Sequence, residues 1–276
     1  MSDVILEVRN LTKTFGGGGL VRKSHPVRAV DDVSFELPRS SSYGLVGESG
    51  SGKSTTAHMI CRMLSPDSGQ VLVEGKDVLG FKGRDLKQFR REVQMVFQDP
   101  FASLDPRWTV GRLVAEGMHV HGHVPKERRR ERVEELLELV GLYPEHAKVY
   151  PHKFSGGQRQ RIGIARALAV EPSVLVLDEP VSALDVSIRA QILTLLKDLQ
   201  QKLGLSYLFI AHDLAIVEQF CDRLAVMRQG RIVEEGTCAQ LYGAPREAYT
   251  RELLAAVPIP DPRQRDKPVG TTGGPS

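Results

Sequence analysis

Alternating apolar and polar positions open the chain. Ile5-Leu-Glu-Val-Arg9 alternates as a half-buried strand does. A glycine run, Gly16 to Gly19, with Ser24 to Pro26 after it predicts a flexible loop, and the alternation resumes from Val27 to Leu37. Tyr43 to Val46 is a short apolar strand that runs into a glycine-rich loop, with a helix expected from Lys53 to about Met63. Gly69 to Gly75 and Val93 to Phe97 supply two more strands. The pattern then changes: Val110 to Met118 and Val133 to Val140 carry apolar residues at helical spacing, with few strand candidates between about Pro100 and Pro151.

From Phe154 onward strands and helices mix again. The pattern predicts a helix through Ile162 to Ala169 and a buried strand from Val174 to Leu177. A long amphipathic helix follows over about Ser187 to Leu203, then a strand from Tyr207 to Ile210. Cys221 to Met227 and Arg231 to Val233 form a closing hairpin around Gln229-Gly230. The layout is an α/β core interrupted by a helical insert over about 98–155. A C-terminal segment over about 236–262 follows, and a Pro- and Gly-rich tail over 263–276 is expected to be disordered.

Composition narrows the function. Of 276 residues, 41% are hydrophobic and 26% charged, and 37 basic residues are balanced by 34 acidic ones mixed along the chain. A nucleic-acid partner is not expected, because phosphate-backbone binding calls for a concentrated basic face. The basic run Lys126 to Arg132 alternates with acids and reads as a solvated face. Cys61, Cys221 and Cys238 have no metal-ligand spacing and read as packing residues in a reducing compartment. No apolar run reaches the ~18 residues a membrane span needs, and the first residues lack a signal-peptide layout. The expectation is a cytoplasmic protein that reaches a membrane only through a partner.

The candidate chemistry begins at Gly47-Glu-Ser-Gly-Ser-Gly-Lys-Ser54, which fits G-x-x-x-x-G-K-[ST] between a predicted strand and a predicted helix. Such glycines let backbone N–H groups turn inward around phosphate oxygens. The helix N-terminus adds partial positive charge, Lys53 a mobile full charge, and the Ser54 hydroxyl a ligand for Mg²⁺. Asp178 and Glu179 end a wholly apolar strand at the sheet's carboxyl edge. There Asp178 can hold Mg²⁺ through a water, and Glu179 can polarise an attacking water. Gln98 and His212 each follow a strand and can reach the same place. Ser155-Gly-Gly-Gln158 offers a hydroxyl and bare N–H groups at a second helix start, and Ser182 to Asp185 lies just past the two carboxylates.

In this order and spacing, these elements resemble the nucleotide-binding subunit of ATP-binding-cassette (ABC) transporters, from about Leu6 to Pro262. The resemblance implies a P-loop NTPase core with an antiparallel β subdomain and a helical subdomain that carries the signature sequence. It also implies two subunits facing head to tail around two ATP molecules. On that pattern Phe15 stacks on adenine, and Gly47, Glu48, Ser49, Gly50, Ser51, Gly52, Lys53, Ser54 and Thr55 hold phosphates. Ser54, Gln98 and Asp178 attend Mg²⁺, Glu179 orients the water, and His212 senses the γ-phosphate. Ser155, Gly156, Gly157 and Gln158 serve the partner's nucleotide, and Asp185 links the two sites across the interface. Phe154 stands where the family pattern has Leu. Read without the resemblance, Phe15 fits a core position equally well.

Three stretches look like the oligopeptide/dipeptide/nickel subfamily of ABC importers: Phe97 to Arg107, Tyr150 to Leu168 and Ala248 to Pro262. The usual His-Pro before Tyr249 is here Glu247-Ala248. That resemblance implies an ATPase at the cytoplasmic face of the membrane. Its partners would be a second ATPase subunit (a copy or a relative), two transmembrane permease subunits and, indirectly, an extracytoplasmic substrate-binding protein. The permease would dock on the helical insert, with Gln98 at its hinge. With no cysteine after Cys238, no iron–sulfur cluster is expected. Peptides are the leading substrate. Nickel, an opine-like small molecule, or a regulatory ATPase without a membrane partner stay open. The segment Tyr249 to Pro258, read by itself, is an amphipathic helix that caps the core.

Overall fold

The computed structural model describes residues 3–16, 26–99 and 103–256. The predicted tail, Phe101 and the end of the importer-type segment lie outside them. Two sheets organise the chain. The first is antiparallel, in the order β2-β1-β4-β5, from β1 (Val4–Phe15), β2 (Val27–Pro38), β4 (Ser68–Val73) and β5 (Lys76–Asp77). The second has six strands in the order β10-β9-β3-β8-β7-β6. Its members are β3 (Ser42–Val46), β6 (Val93–Val96), β7 (Val174–Asp178), β8 (Ser206–Ala211), β9 (Arg223–Arg228) and β10 (Arg231–Thr237). All its pairs are parallel except the β9–β10 hairpin.

The strands β3, β7 and β8 are buried at every position, which explains why they read as unbroken apolar runs rather than alternating ones. Their alternate residues serve two different cores. Val174, Val176, Leu208 and Ile210 pack with Leu6, Val30 and Leu37 of the antiparallel sheet. Leu175, Leu177, Tyr207 and Phe209 pack with the helices on the opposite face. The parallel sheet is thus a shared wall, and a strand's period of two decides which core each side chain joins.

The helices are α1 (Lys53–Ile60), α2 (Gly83–Glu92), α3 (Val110–His121), α4 (Arg129–Leu139) and α5 (Gly156–Leu168). They continue with α6 (Val186–Leu203), α7 (Leu214–Phe220), α8 (Cys238–Gly243) and α9 (Ala248–Ala255). Helices α3 and α4 lie in the expected insert and bury Leu113, Val114, Met118, Leu136 and Leu137. Helix α5 packs on both, so the helical body takes in residues beyond 155.

Several boundaries differ from the sequence reading. β1 continues past Arg9 to Phe15 because three register shifts against β2 between Val8 and Thr14 interrupt the alternation without ending the ladder. Helix α1 stops at Ile60 rather than Met63, and Arg62 takes a positive φ of 52°. Helix α2 escapes the apolar pattern because Phe89 is its one buried residue in a highly charged sequence. No helix among the described residues is long and apolar enough to cross a membrane.

Candidate functional site

The loop between β3 and α1 is shaped by glycines at the points where a side chain is impossible. Gly47 and Gly52 have φ of 147° and 105°. A Cβ on them would lie 2.1 Å from the Met227 carbonyl and 2.2 Å from the Ala29 carbonyl. Gly50, at φ 79°, has open space around it, so there only the backbone conformation demands glycine. No side chain caps α1, whose N-cap is Gly52. The amides of Lys53, Ser54 and Thr55 in its first turn are therefore available to an anion, with the helix dipole behind them. The hairpin beyond braces the loop from outside, where the Gly230 amide donates to the Ser51 carbonyl at 2.9 Å.

Lys53 is folded back rather than extended. Its ammonium donates to the carbonyls of Gly47 and Glu48, each at 2.7 Å, and to Ser51 Oγ at 3.3 Å, and the residue is 5% exposed. Burial pushes its pKa down, against the opposing pull of Glu179, Asp178 and Glu48. The mobile charge expected from sequence is thus parked on the loop's own carbonyls.

Asp178, at the end of β7, accepts a hydrogen bond from Ser54 Oγ at 3.1 Å. Burial raises its pKa above the usual carboxylate range, and the Ser54 hydrogen bond works the other way. Its neighbour Glu179 leaves the strand at φ 45°, which turns the two carboxylates apart. Glu179 Oε2 accepts from Gln98 Nε2 at 3.0 Å and lies 3.1 Å from His212 Nδ1. Gln98 also reaches Ser182 Oγ at 3.4 Å, and that hydroxyl donates to the Glu179 carbonyl at 3.1 Å. Three predicted residues from three strand ends therefore meet on one carboxylate. Phe15 is 43% exposed, so its ring is a surface group and not part of the core.

The second glycine motif stands apart. Ser155 is the N-cap of α5: its Oγ accepts from the Gln158 amide at 3.3 Å, while Gln158 Oε1 accepts from the Ser155 amide at 3.0 Å. This leaves the Ser155 hydroxyl proton free to donate outward, while the Gln158 carbonyl oxygen is committed to the cap. Gly157 is bare for an internal reason as well, since a Cβ there would meet Ile188 Cγ2 of α6 at 2.4 Å. Phe154 is buried against His146, with ring centroids 5.1 Å apart, so the exchange from Leu keeps an apolar anchor. Asp185 is the exposed N-cap of α6 and makes no side-chain cap hydrogen bond. Among the described residues, no hydrogen bond or ion pair joins 155–158 to 47–55.

Two contacts had no sequence signal. Arg189, one turn into α6, reaches Asp213 at 3.4 Å, beside His212. Tyr249, far away in the chain, receives a hydrogen bond from the Glu48 amide at 3.2 Å.

Comparison with known proteins gives the chain's family and fold. The family profile described as ABC transporter matches residues 30–182. The oligopeptide transport ATP-binding protein OppF of Bacillus subtilis is 52% identical over 264 residues, which covers 95% of this chain and 85% of that protein. Its namesake from Streptococcus mutans is 50% identical over 265 residues, with 95% and 85% covered. Among solved structures, cbiO1 of Clostridium perfringens, part of an ABC transporter complex, aligns with a TM-score of 0.75 at 31% identity over 88% of this chain and 92% of that one. A dimeric ATP-binding cassette in a post-hydrolysis state with ADP and Pi also gives 0.75, at 29% identity over 85% and 99%.

Proposed function

The chain belongs to the ABC transporter family, and from that premise we propose that it is the ATP-hydrolysing subunit of a peptide importer. The observation that carries the ATPase reading is the convergence of Lys53, Ser54, Asp178, Glu179, Gln98 and His212 at one edge of the parallel sheet. Phosphates of ATP would sit on the amides of the loop and of the first turn of α1. Lys53 would then leave the Gly47 and Glu48 carbonyls for the terminal phosphates, exchanging neutral acceptors for charged ones.

Glu179 is the base that orients water. Its Oε2 is held by Gln98 and His212, so the carboxylate is fixed in direction before a water arrives. Ser54 Oγ and the Asp178 carboxylate are adjacent hard-oxygen donors, as Mg²⁺ prefers, and the side-chain oxygen of Gln98 would join them. A Mg²⁺ held there would neutralise charge on the phosphates.

The free Ser155 hydroxyl and the α5 N-terminus form a second anion site with no link to the chain's own loop. We assign it to the nucleotide of a second ATPase subunit, with Asp185 at the same interface. ATP would then join two half-sites of like geometry, and cleavage would loosen them. For the permease subunits, a groove of about 590 Å³ lies between the end of α1, β6 and α5. It is lined by Arg62, Met63, Phe97, Gln160 and Arg166, and Met63 is 58% exposed. A transmembrane subunit docked there at the cytoplasmic face would press on the segment that begins at Gln98. Relatives of about 50% identity named for oligopeptide transport support peptide as cargo, which an extracytoplasmic binding protein would deliver.

The test of the ATPase reading is Glu179→Gln. Turnover should vanish while ATP-dependent dimer formation on size-exclusion chromatography persists. Near-normal turnover would remove Glu179 from this role.

A further inference from the structure

We propose that Tyr249 of α9 is a positioning residue for the phosphate loop, because its hydroxyl fixes the peptide unit whose carbonyl holds Lys53. The inference rests on the ATP site proposed above. The Glu48 amide donates to Tyr249 Oη at 3.2 Å across 201 positions of sequence. The carbonyl of that same peptide unit is the one on Gly47, and it accepts from Lys53 Nζ at 2.7 Å. In a planar trans peptide, C=O and N–H point in opposite directions. One rigid group is thus gripped at both ends, by the phenol outside the loop and by the lysine within. Turning it would break both contacts.

Gly47 itself does little to choose that orientation. Without a Cβ it has wide backbone freedom, so tertiary contacts must supply the choice. Tyr249 is well placed to do so, being 5% exposed, with the Arg228 guanidinium 4.6 Å from its ring centroid. The start of α9 is pinned in turn by Glu234 of β10, whose carboxylate accepts from the amides of Arg246 at 2.7 Å and Glu247 at 3.1 Å. Helix α9 is therefore anchored to the β9–β10 hairpin, and among the described residues its hydrogen bond to the loop is made through one oxygen atom. The packing alone would be met by phenylalanine. The oxygen has a separate task.

Without that oxygen, the empty loop would sample other orientations of the Gly47–Glu48 peptide, and ATP binding would have to restore the bound one. Tyr249→Phe in the full chain should weaken equilibrium ATP binding about fivefold, the scale of one neutral hydrogen bond. Turnover at saturating ATP should stay within about twofold, and the nucleotide-free melting temperature within about 2 °C. Amide hydrogen exchange at Glu48 should accelerate without nucleotide, while that at Leu45 in the neighbouring strand should not change. Tyr249→Ala, which also removes the ring beneath Arg228, should lower the melting temperature as well.

A phenylalanine variant that binds ATP as the unmodified chain does, with Glu48 exchange unaltered, would overturn the proposal. So would a melting-temperature loss in Tyr249→Phe equal to that of Tyr249→Ala, which would reduce Tyr249 to packing. If the unmodified chain failed to bind ATP, the functional reading above would fall instead, and exchange at Glu48 would still decide this one.

Discussion

Ser54 Oγ donates to Asp178 Oδ1 at 3.1 Å, which ties the first turn of α1 to the end of β7 across 124 positions of sequence. The contact joins the residue that follows the phosphate-loop lysine to a carboxylate that burial has made costly to ionise. On the reading proposed above, Asp178 would keep function at the expense of stability.

Replacing that carboxylate should expose the trade. The pKa of Asp178 is raised in the folded chain, so the fold is most stable where the group is protonated and loses stability as pH rises through the raised pKa. Asp178→Asn should melt higher than the unmodified chain at neutral pH while losing turnover. Its advantage should shrink as pH falls toward about 4, near the ordinary carboxylate value. Differential scanning calorimetry between acid and neutral pH checks both points. An advantage that grows in acid would contradict the assignment of burial as the dominant cause.

The glycines of the loop should not be equivalent. Gly52→Ala would drive a Cβ to 2.2 Å from the Ala29 carbonyl at a φ of 105°, whereas Gly50→Ala meets no atom within 4 Å. Urea unfolding should show a loss of more than about 2 kcal/mol for the first and about 1 kcal/mol for the second. Equal losses would mean that backbone conformation alone, rather than close approach, fixes the loop.

Phe15 offers a test of nucleotide contact that stability does not confuse. Its ring is 43% exposed, with Lys13 Nζ 5.9 Å from the centroid. Phe15→Ala should weaken ATP binding about tenfold, as losing a base-stacking ring does. The melting temperature should hardly move, and Phe15→Tyr should restore affinity. Unchanged affinity in Phe15→Ala would return Phe15 to an ordinary surface position.

Much of this site is legible in the chain because its parts are local. The spacing of Gly47, Gly52 and Lys53 encodes a loop before a helix. The apolar run before Asp178 encodes a buried strand that must deliver its last residue to the sheet edge. Phe15 is different: alternation gives the ring equal claim to core or surface, and only the interrupted ladder from β1 to β2 resolves it. The retraction of Lys53 onto Gly47 and Glu48 is also illegible, since a lysine's rotamer depends on which acceptors the folded loop turns inward. Tyr249 at the loop's back is hidden for a third reason. Its contact depends on how α9 returns over the β9–β10 hairpin, and no local pattern records that path. Helix α2 is illegible because its one buried residue, Phe89, sets no periodicity in the sequence.

On the function proposed above, each ATP is held by the loop of one chain and the Ser155 helix of another. The most direct measurement mixes two inactive variants under conditions where the unmodified chain turns over. Lys53→Ala disables the loop. Ser155→Asp keeps the α5 cap, because aspartate caps as well as serine, but sets a negative charge against the incoming phosphate. Each variant alone should be inactive. Their mixture should hydrolyse ATP well above the sum of the two, since a mixed pair contains one site with both halves intact. If Ser155→Asp alone hydrolyses ATP at the unmodified rate and mixing adds nothing, ATP is completed within a single chain and the account is wrong.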